Sequence, residues 1–543
     1  QKLTEGHPSF VFYDGPPSAN GKPGIHHVMA RTIKDVFCRY KTMQGYQVKR
    51  KAGWDTHGLP VELGVEKELG ITKEDIGKKV SVDDYNLKCR QNVMMYTQEW
   101  TDLSHKMGYW VDMEHPYVTY ENSYIESLWW LLQQLYKKGL LYKGYTIQPY
   151  SPAAGTGLSS HELNQPGCYR DVKDTTVTAQ FATLPEPLGI LAVAKSQGRG
   201  LDALYTLGLP VYVLAWTTTP WTLPSNTALC VGPKIDYVAV KGNNPYTGEE
   251  AVYILAESRL GVYFQAEEGE TLEILWRGKG VDLVGLHYEQ LMPWVKPCAL
   301  ESGKVVDKSS EAFRIIPGDY VTTEDGTGIV HIAPTFGADD AKVAKDAGVP
   351  SLFIVDKAGD TRPMVDFTGK YFVEDDMDAD FRNLCVNDSY WKHAGQFVKN
   401  AYDPRFNQGG KYDEKAAQKE MDLNVVLCLE MKEEGSAFKI EKHIHNYPHC
   451  WRTDKPVLYY PLDSWFIRST AAKERMMELN DTILWKPEST GTGRFGKWLE
   501  NLNDWNLSRS RYWGTPLPIW RNRDTKEEIC IGSIQELWDE IEK

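Results

Sequence analysis

The sequence lacks three features, and each absence excludes a class of protein. No apolar run approaches the roughly 20 residues of a membrane-spanning helix, and the residues after Gln1 show no signal-peptide pattern. The nine cysteines are scattered without a CxxC pair, so they predict reduced thiols rather than a disulfide framework. Positive charge is also scarce: the net charge of -13 argues against a generic nucleic-acid binder. We therefore expect a cytoplasmic protein without membrane contacts, in which any RNA is bound through local patches.

The chain is too long for a single hydrophobic core. At 543 residues it should divide into roughly two to four domains. Its 42% hydrophobic and 25% charged residues are ordinary for a globular protein. Function must therefore be sought in local motifs rather than in composition.

The first informative stretch covers residues 10–35 and reads FVFYDGPPSANGKPGIHHVMARTIKD. The apolar run at residues 10–13 predicts a buried strand, and the pattern from Ile25 onward predicts a helix after a Gly/Pro/Asn loop. This is the order of the first unit in a doubly wound nucleotide-binding sheet. A phosphate can approach the amides at such a helix start, where His26 and His27 can donate hydrogen bonds. On this pattern alone, a second interpretation stays open: a plain strand–turn–helix with two surface histidines.

A second strand is predicted at residues 46–51, and the motif GWDTHGLPVE follows at residues 53–62. Asp55 is then at the carboxyl end of a strand, where open α/β sheets bind small molecules and a carboxylate suits a ligand ammonium. The alternative is a turn aspartate that accepts hydrogen bonds from its own backbone.

Near residue 175 the sequence changes to short alternating runs with frequent Gly and Pro, which predicts a β-rich inserted domain. Within it, WTTTPWTLPSN at residues 216–226 clusters threonine hydroxyls at a strand end. Residues 326–348, GTGIVHIAPTFGADDAKVAKDAG, predict a Gly-bounded strand with His331 and a helix that starts at Asp339 and Asp340. Taken alone, each stretch also fits a plain explanation, with threonine chosen for β propensity and aspartate as an N-cap.

Together these motifs resemble class I aminoacyl-tRNA synthetases, in the branch that handles isoleucine, valine and leucine. GPPSANG, a His-containing tetrad and IKD are similar to the first signature of that family. The family tetrad is His-Ile-Gly-His, whereas this chain has Gly24-Ile25-His26-His27, with the first His and the Gly exchanged. In the family this turn binds ATP. The resemblance implies four catalytic residues: Asn20, Gly24, His26 and His27.

The resemblance also implies an amino-acid pocket. GWDxHGLPxE looks like the isoleucyl version of its motif, so Asp55 is expected to hold the amino group of the substrate and Pro16 to form one wall. Residues 504–520, DWNLSRSRYWGTPLPIW, are similar to the second catalytic half of the family. Trp513 is then expected as the opposite wall, and Arg509 and Arg511 are expected to face ATP or the tRNA acceptor end.

In the inserted domain, the two polar stretches resemble the editing site of the same family. There a threonine-rich strand and a Gly-Thr-Gly strand face each other, an Asp anchors the amino group of a mischarged residue, and a His limits the pocket. The editing residues implied are Thr217, Thr218, Thr219, Thr222, Asn226, His331 and Asp340. The pair Thr335-Phe336, with the altered tetrad, suggests a branch related to eukaryotic-type isoleucyl enzymes.

Residues 149–172 lie where many members of the family carry a zinc ribbon. Ser151 and Ala154 stand near the places where its thiols would lie, which leaves Cys168 without a partner of its own kind. Cys450 is equally isolated in the sequence. We expect no zinc in this chain and no metal ligand among the site residues; the cofactor implied by the resemblance is ATP with Mg²⁺.

The fold class expected is α/β, with a Rossmann-type doubly wound parallel-sheet catalytic domain interrupted by a β-rich inserted editing domain. The predicted divisions are listed in chain order: residues 1–150, first catalytic half; 151–174, ribbon-like connector; 175–440, editing domain; 441–543, return connector and start of the second catalytic half. Because no Lys-Met-Ser-Lys-Ser loop or anticodon-binding domain is present, we expect an amino-terminal piece that forms adenylate poorly alone.

The resemblance implies a monomeric isoleucine–tRNA ligase with isoleucine, ATP and tRNA(Ile) as partners. Three alternatives stay open. One is a valyl enzyme of the same class, the second is another Rossmann-type enzyme such as a nucleotidyltransferase, and the third is a non-catalytic tRNA-binding module. The nucleotidyltransferase leaves GWDTHGLPVE and the editing motifs without an explanation, and the missing carboxyl end is the only support for the tRNA-binding module.

Overall fold

A computed structural model describes residues 2–185, 200–265, 271–301, 304–407, 412–522, 525 and 527–543. The chain forms two compact units. Residues 1–144 and 464–543 make up the first, here called the discontinuous unit, and residues 145–463 make up the second, the inserted unit. The four-part division made from the sequence stays a prediction. Among the described residues, no helix combines the length and apolar character that crossing a membrane requires.

The discontinuous unit mixes helices with short strands. Its helices are Ile25–Met43, Leu59–Leu69, Val82–Val93, Thr97–Lys106, Asn122–Lys137, Lys473–Asp481, Gly496–Glu500 and Ile534–Glu542. Its strands are Lys51–Trp54, Asp112–Val118, Trp505–Asn506, Ile519–Arg521 and Glu528–Cys530. The strands Leu141–Ser151 and Leu458–Ile467 contain the points at which the chain leaves and re-enters this unit.

Parallel pairing organises the amino-terminal part of this unit. Strand Lys51–Trp54 runs parallel to Asp112–Val118, and single parallel bridges join Ser9 to Gln47 and Ser18 to Asp55. Three successive segments therefore run in one direction, and helix Ile25–Met43 is the crossover between the first two. Parallel neighbours need such a crossover, so this is the α/β arrangement expected from the sequence.

Two local predictions for this unit were wrong. Residues 10–13 are not a regular strand: Phe10 donates its N–H to the Gln47 oxygen at 3.0 Å, but Val11 and Tyr13 are exposed. The amphipathic pattern from residue 85 to 109 predicts a single long helix, but the structure has two helices there, Val82–Val93 and Thr97–Lys106. The break occurs because the N–H of Tyr96 is donated to the Ala19 oxygen at 3.0 Å instead of to a helical carbonyl.

The inserted unit is rich in strands, as predicted. The strands that lie wholly within it are Thr156–Gly157, Tyr169–Ala182, Val211–Thr217, Ala228–Val231, Asp236–Asn243, Glu250–Ala256, Ile274–Lys279, Cys298–Glu301, Lys304–Asp307, Arg314–Pro317, Ile329–Ile332, Ile354–Val355, Thr361–Arg362 and Ala437–Pro448. Its helices are Ser160–Leu163, Leu260–Tyr263, Gly280–Leu283, Ala338–Ala347, Ala379–Cys385, Glu414–Ala417 and Leu423–Glu433. Within the described residues, nine of the strands form one sheet.

Strand Val211–Thr217 lies inside this sheet and fixes where the threonine motif ends. It pairs antiparallel with Tyr169–Ala182 and parallel with Glu250–Ala256. Near its carboxyl end, Trp216 pairs in parallel with Val330 of strand Ile329–Ile332. Parallel register brings the two carboxyl ends to one edge, so the threonines and His331 meet there.

Candidate functional site

The first signature forms a tight turn into helix Ile25–Met43. Gly24 is extended (φ −107°, ψ 174°), and its N–H is donated to Nδ1 of His27 at 2.9 Å. Because Nδ1 accepts, the ring proton of neutral His27 is on Nε2. Burial, followed by His26 and Arg31, lowers the pKa of His27, which favours this neutral form. The Nε2–H is thus a donor at the start of a helix, a place that attracts anions.

Trp100 contacts this turn at two points. Its indole N–H is donated to the Gly21 oxygen at 2.9 Å, and its ring lies edge-on to His27 with centroids 4.7 Å apart. Trp100 is 2% exposed, so both contacts are held by a buried residue. Asn20 lies exposed in the same loop and accepts the Ser18 hydroxyl at 3.0 Å.

The exchanged tetrad has a steric explanation. A Cβ on Gly24 would lie 2.9 Å from Cε1 of His26 and 3.0 Å from its Nδ1. The His26 ring therefore folds back over residue 24, and its centroid is 3.8 Å from that of His27. A side chain at position 24 would therefore require the His26 ring to turn away from this placement.

The expected amino-acid pocket lies at the end of strand Lys51–Trp54. Asp55 is exposed there, and its N–H is donated to the Pro17 oxygen at 3.0 Å, next to the half-buried Pro16. The indole N–H of Trp513 is donated to the Thr56 oxygen at 2.6 Å. The structure thus brings Asp55, the Pro16 segment and Trp513 to one end of the strand, and their roles in binding an amino acid stay predictions.

Glu62 has a role that the motif did not reveal. It is 1% exposed and accepts from Nε of Arg511 at 2.9 Å and from the backbone N–H groups of Tyr512 and Trp513 at 3.2 and 2.9 Å. Arg511 also pairs with Glu66, one helical turn further on. This one carboxylate positions the segment that carries Trp513. A hint existed in the sequence, since two glutamates four apart on one helix can share a cation.

The expectation that Arg511 faces ATP or the tRNA acceptor end was wrong. Its side chain is only 6% exposed and is held between two carboxylates. Arg509 is exposed and donates to the backbone oxygens of Asn506 and Ser508.

In the inserted unit, a cavity of about 470 Å³ opens beside the threonine motif. Cavities of about 300–1,000 Å³ are usual for small-molecule sites. Of the seven editing residues predicted, six line it: Thr217, Thr218, Thr219, Thr222, His331 and Asp340. Asn226 is fully buried behind His331.

The predicted Gly-bounded strand with His331 is present, and the Gly-Thr-Gly segment forms the turn before it rather than part of it. Strand Ile329–Ile332 begins only after this segment, and both glycines take left-handed conformations, with φ +65° at Gly326 and +74° at Gly328. A Cβ on Gly326 would lie 2.9 Å from the Trp216 ring. Glycine is therefore needed both for the turn and for its close approach to the threonine strand.

His331 is a neutral wall of the cavity. Burial lowers its pKa to about 4. Nε2 lies 2.9 Å from the Thr222 hydroxyl oxygen, and the Thr222 hydroxyl donates its own proton to the backbone carbonyl oxygen of Thr219 at 2.8 Å. Thr222 must therefore accept from His331, so the imidazole proton is on Nε2.

Asp340 is the third residue of helix Ala338–Ala347, and it turns toward the cavity. Its Oδ2 accepts the N–H of Ala333 at 2.9 Å, and a Cβ on Gly337 would lie 2.6 Å from its Cγ. Burial raises its pKa to about 6, against the Ala333 hydrogen bond and with help from Asp339. Asp339 is exposed and does not line the cavity.

Cys168 of the ribbon-like connector and Cys450 are both buried. His449 donates its N–H to the Cys168 oxygen at 2.7 Å, which brings the strand end before Cys450 beside the connector. Among the described residues, no three His, Cys, Asp or Glu side chains are grouped as metal ligands. That zinc is missing from this chain stays a prediction.

The buried role of Arg511 generates a stability prediction. Arg511→Met should lower the free energy of unfolding by about 3 kcal/mol or more, because it leaves buried carboxylates without their cation. The measurement is urea unfolding of the purified chain. Arg509→Met is the matched control, expected to stay within about 0.5 kcal/mol of the parent because Arg509 is exposed. Equal effects of the two changes would contradict the assignment.

Comparison with known proteins places these sites in a family. The family model for tRNA synthetases class I (I, L, M and V) matches residues 1–543. Curated isoleucine–tRNA ligases are similar: that of Bacteroides thetaiotaomicron is 68% identical over 99% of this chain and 46% of its own length, and that of Porphyromonas gingivalis is 62% identical over 100% and 46%. The chain spans about half the length of these relatives. Both are bacterial, so the suggested branch related to eukaryotic-type enzymes is not supported. The chain belongs to the class I tRNA synthetases of the I, L, M and V group.

Proposed function

We propose that the protein containing this chain is an isoleucine–tRNA ligase that also removes valine from mischarged tRNA(Ile). The observation that carries the proposal is the 68% identity to a protein of that name over 99% of this chain. The activity is proposed for the whole protein, because the chain covers 46% of that relative. The geometry of each unit suits one of the two reactions.

In the first reaction, a carboxylate oxygen of isoleucine attacks the α-phosphorus of ATP, the bond to the bridging oxygen breaks, and pyrophosphate leaves. No group of the chain need become covalently attached. The Nε2–H of His27 and the amides at the start of helix Ile25–Met43 supply donors to phosphate oxygens, with Asn20, Gly24 and His26 in the same turn. Such catalysis depends on positioning and on stabilising charge. Mg²⁺ would accompany the nucleotide.

Asp55 is the proposed anchor for the ammonium group of isoleucine. Its carboxylate is exposed at the end of strand Lys51–Trp54. Trp513 and Pro16 are the proposed walls for the side chain. Trp513 is fixed at two places: its indole N–H is donated to the Thr56 backbone oxygen at 2.6 Å, and its backbone N–H is donated to Glu62 at 2.9 Å.

Such a pocket cannot separate isoleucine from valine well enough. A methylene is worth about 1–3 kcal/mol in binding, a limit for which these two amino acids are themselves the standard example. A second site that admits valine and refuses isoleucine can remove the errors. The cavity in the inserted unit has the polar groups for this task.

In the proposed editing reaction, water attacks the ester carbonyl of valyl-tRNA(Ile), the ester C–O bond breaks, and the terminal ribose hydroxyl recovers a proton. Ionised Asp340 pairs with the valine ammonium. The hydroxyls of Thr217, Thr218, Thr219 and Thr222 hold the ribose and the water. Neutral His331 closes the cavity against the extra methylene of isoleucine.

The proposal also includes a monomeric cytoplasmic protein without zinc in this chain. It includes the four-part division, with catalytic halves at residues 1–150 and 441–543 around a connector at 151–174 and an editing domain at 175–440. The two compact units support this arrangement, since residues 145–463 form a body of their own.

ATP–pyrophosphate exchange in the full-length protein tests the first reaction. Isoleucine should be the best amino acid, with valine weaker by a factor of about 10–200, the worth of one methylene. Exchange that is fastest with valine would identify a valyl enzyme. Lack of exchange with any amino acid would favour the nucleotidyltransferase or the non-catalytic tRNA-binding module.

Deacylation of valyl-tRNA(Ile) by the full-length protein tests the editing carboxylate. Asp340→Ala should reduce the rate by about one to two decades, because a charge-assisted contact worth about 1.5–3 kcal/mol is lost. Asp339→Ala is the matched control and should edit like the parent, since Asp339 is exposed beside it. The opposite result would mean that Asp339 is the anchor, and normal editing by both would mean that the site is elsewhere.

The raised pKa of Asp340 predicts a pH dependence. Below about pH 6 the carboxyl group is protonated and cannot pair with an ammonium. We therefore expect kcat/KM for deacylation to fall as the pH decreases through about 6, and Asp340→Asn to lose this acid limb. The pH dependence of folding stability has the opposite sign. The contribution of Asp340 to stability is present below its ordinary pKa and is lost as the pH rises toward 6. An acid limb that persists in Asp340→Asn would assign it to another group.

A further inference from the structure

We propose that Tyr288, which lies behind the cavity, is a positioning residue whose hydroxyl fixes His331 through Asn226 and so sets the exclusion of isoleucine. The inference rests on the proposed editing function. Tyr288 does not line the cavity, and no sequence motif pointed to it. Its part in the site follows from one continuous chain of hydrogen bonds.

Tyr288 is held firmly in the core of the inserted unit. It is 2% exposed, and its ring packs edge-on against Phe181 and Phe313 with centroids 5.3 and 6.1 Å away. Its backbone N–H is donated to the Phe313 oxygen at 2.9 Å. The hydroxyl at the end of this fixed ring is donated to Oδ1 of Asn226 at 2.7 Å.

Both the oxygen and the NH₂ group of the Asn226 side chain make hydrogen bonds. It is 2% exposed, and Nδ2 donates one proton to the Ala228 oxygen at 2.8 Å. The other proton is shared between Nδ1 of His331 at 3.3 Å and the backbone oxygen of Ile332 at 3.4 Å. Turning the amide over would set Oδ1 against the Ala228 oxygen, two acceptors facing each other. In the observed orientation, Oδ1 accepts the hydrogen bond of the Tyr288 hydroxyl.

The direction of donation is therefore fixed along the whole chain. Tyr288 donates to Asn226, Asn226 to His331, and His331 to Thr222, which donates to the Thr219 oxygen. No member can reverse its role without a neighbour doing so. The imidazole that walls the cavity is held at both nitrogens, and Tyr288 supplies the donor at the far end.

Removal of the Tyr288 hydroxyl should loosen this wall. Oδ1 of Asn226 would become a buried acceptor without a donor, which destabilises this orientation of the amide. His331 could then take its other tautomer and another orientation. Because the site must refuse a single methylene, a small displacement of the ring admits isoleucine.

The experiment compares Tyr288→Phe with Tyr390→Phe in the full-length protein. Tyr390 is the matched control, because it is fully buried in the same unit and donates to the Phe372 oxygen at 2.8 Å. The first readout is the ratio of kcat/KM for deacylation of valyl-tRNA(Ile) and isoleucyl-tRNA(Ile). We expect this ratio to fall about tenfold or more in Tyr288→Phe, the worth of a methylene, and to be unchanged in Tyr390→Phe.

The second readout is the tautomer of His331, which does not depend on any reaction. Histidine ring nitrogens are labelled with ¹⁵N, and the His331 signals are identified by their loss in His331→Gln. The parent and Tyr390→Phe should show the proton on Nε2 alone, and Tyr288→Phe a mixture. Asn226→Asp should move the proton to Nδ1, since a carboxylate can only accept.

Each outcome decides a separate point. An unchanged tautomer in Tyr288→Phe overturns the inference, and so does an equal fall of the ratio in Tyr390→Phe. A parent protein that does not deacylate valyl-tRNA(Ile) overturns the proposed function, and the tautomers then still decide whether Tyr288 positions His331. A changed tautomer with an unchanged ratio overturns the link to specificity.

Discussion

Both units depend on the same interaction, an amide N–H held against Nδ1 of a histidine. In the discontinuous unit the donor is the backbone of Gly24, and in the inserted unit it is the side chain of Asn226. Each contact assigns the ring proton to Nε2 and keeps the imidazole neutral. His27 is thereby a donor at a helix start, whereas His331 donates to Thr222 and forms a wall of the cavity. The same residue type acquires two roles because its second nitrogen faces different surroundings.

Much of the candidate site was predictable because it depends on residues that are close together in the sequence. The threonine hydroxyls cluster at the end of strand Val211–Thr217, as the short apolar run and the Pro-rich turn indicated. Asp340 and Asp339 differ as expected, since consecutive helical residues point about 100° apart and only one can face the cavity. The parallel segments and their helical crossover also follow from pattern and turn chemistry.

Predictions failed where distant residues meet. Glu62 and Arg511 are separated by 449 positions in the chain, and the spacing of Glu62 and Glu66 hints at a shared cation without indicating which one. Tyr288 lies 62 residues from Asn226, in a segment without any motif. The helix expected at residues 85–109 breaks because a carbonyl in the first loop captures the Tyr96 N–H. Periodicity and propensity report on neighbours, whereas these features are set by packing.

The steric exclusion between Gly24 and His26 also restricts the routes by which such a turn can diverge. If the family tetrad His-Ile-Gly-His is the starting point, two single changes lead toward Gly-Ile-His-His. Gaining the imidazole at residue 26 first would place a Cβ at residue 24 about 2.9 Å from the new ring. Losing the first His beforehand passes through Gly-Ile-Gly-His, which has no clash and keeps the last His. The close contact thus gives the exchange a preferred order of mutations.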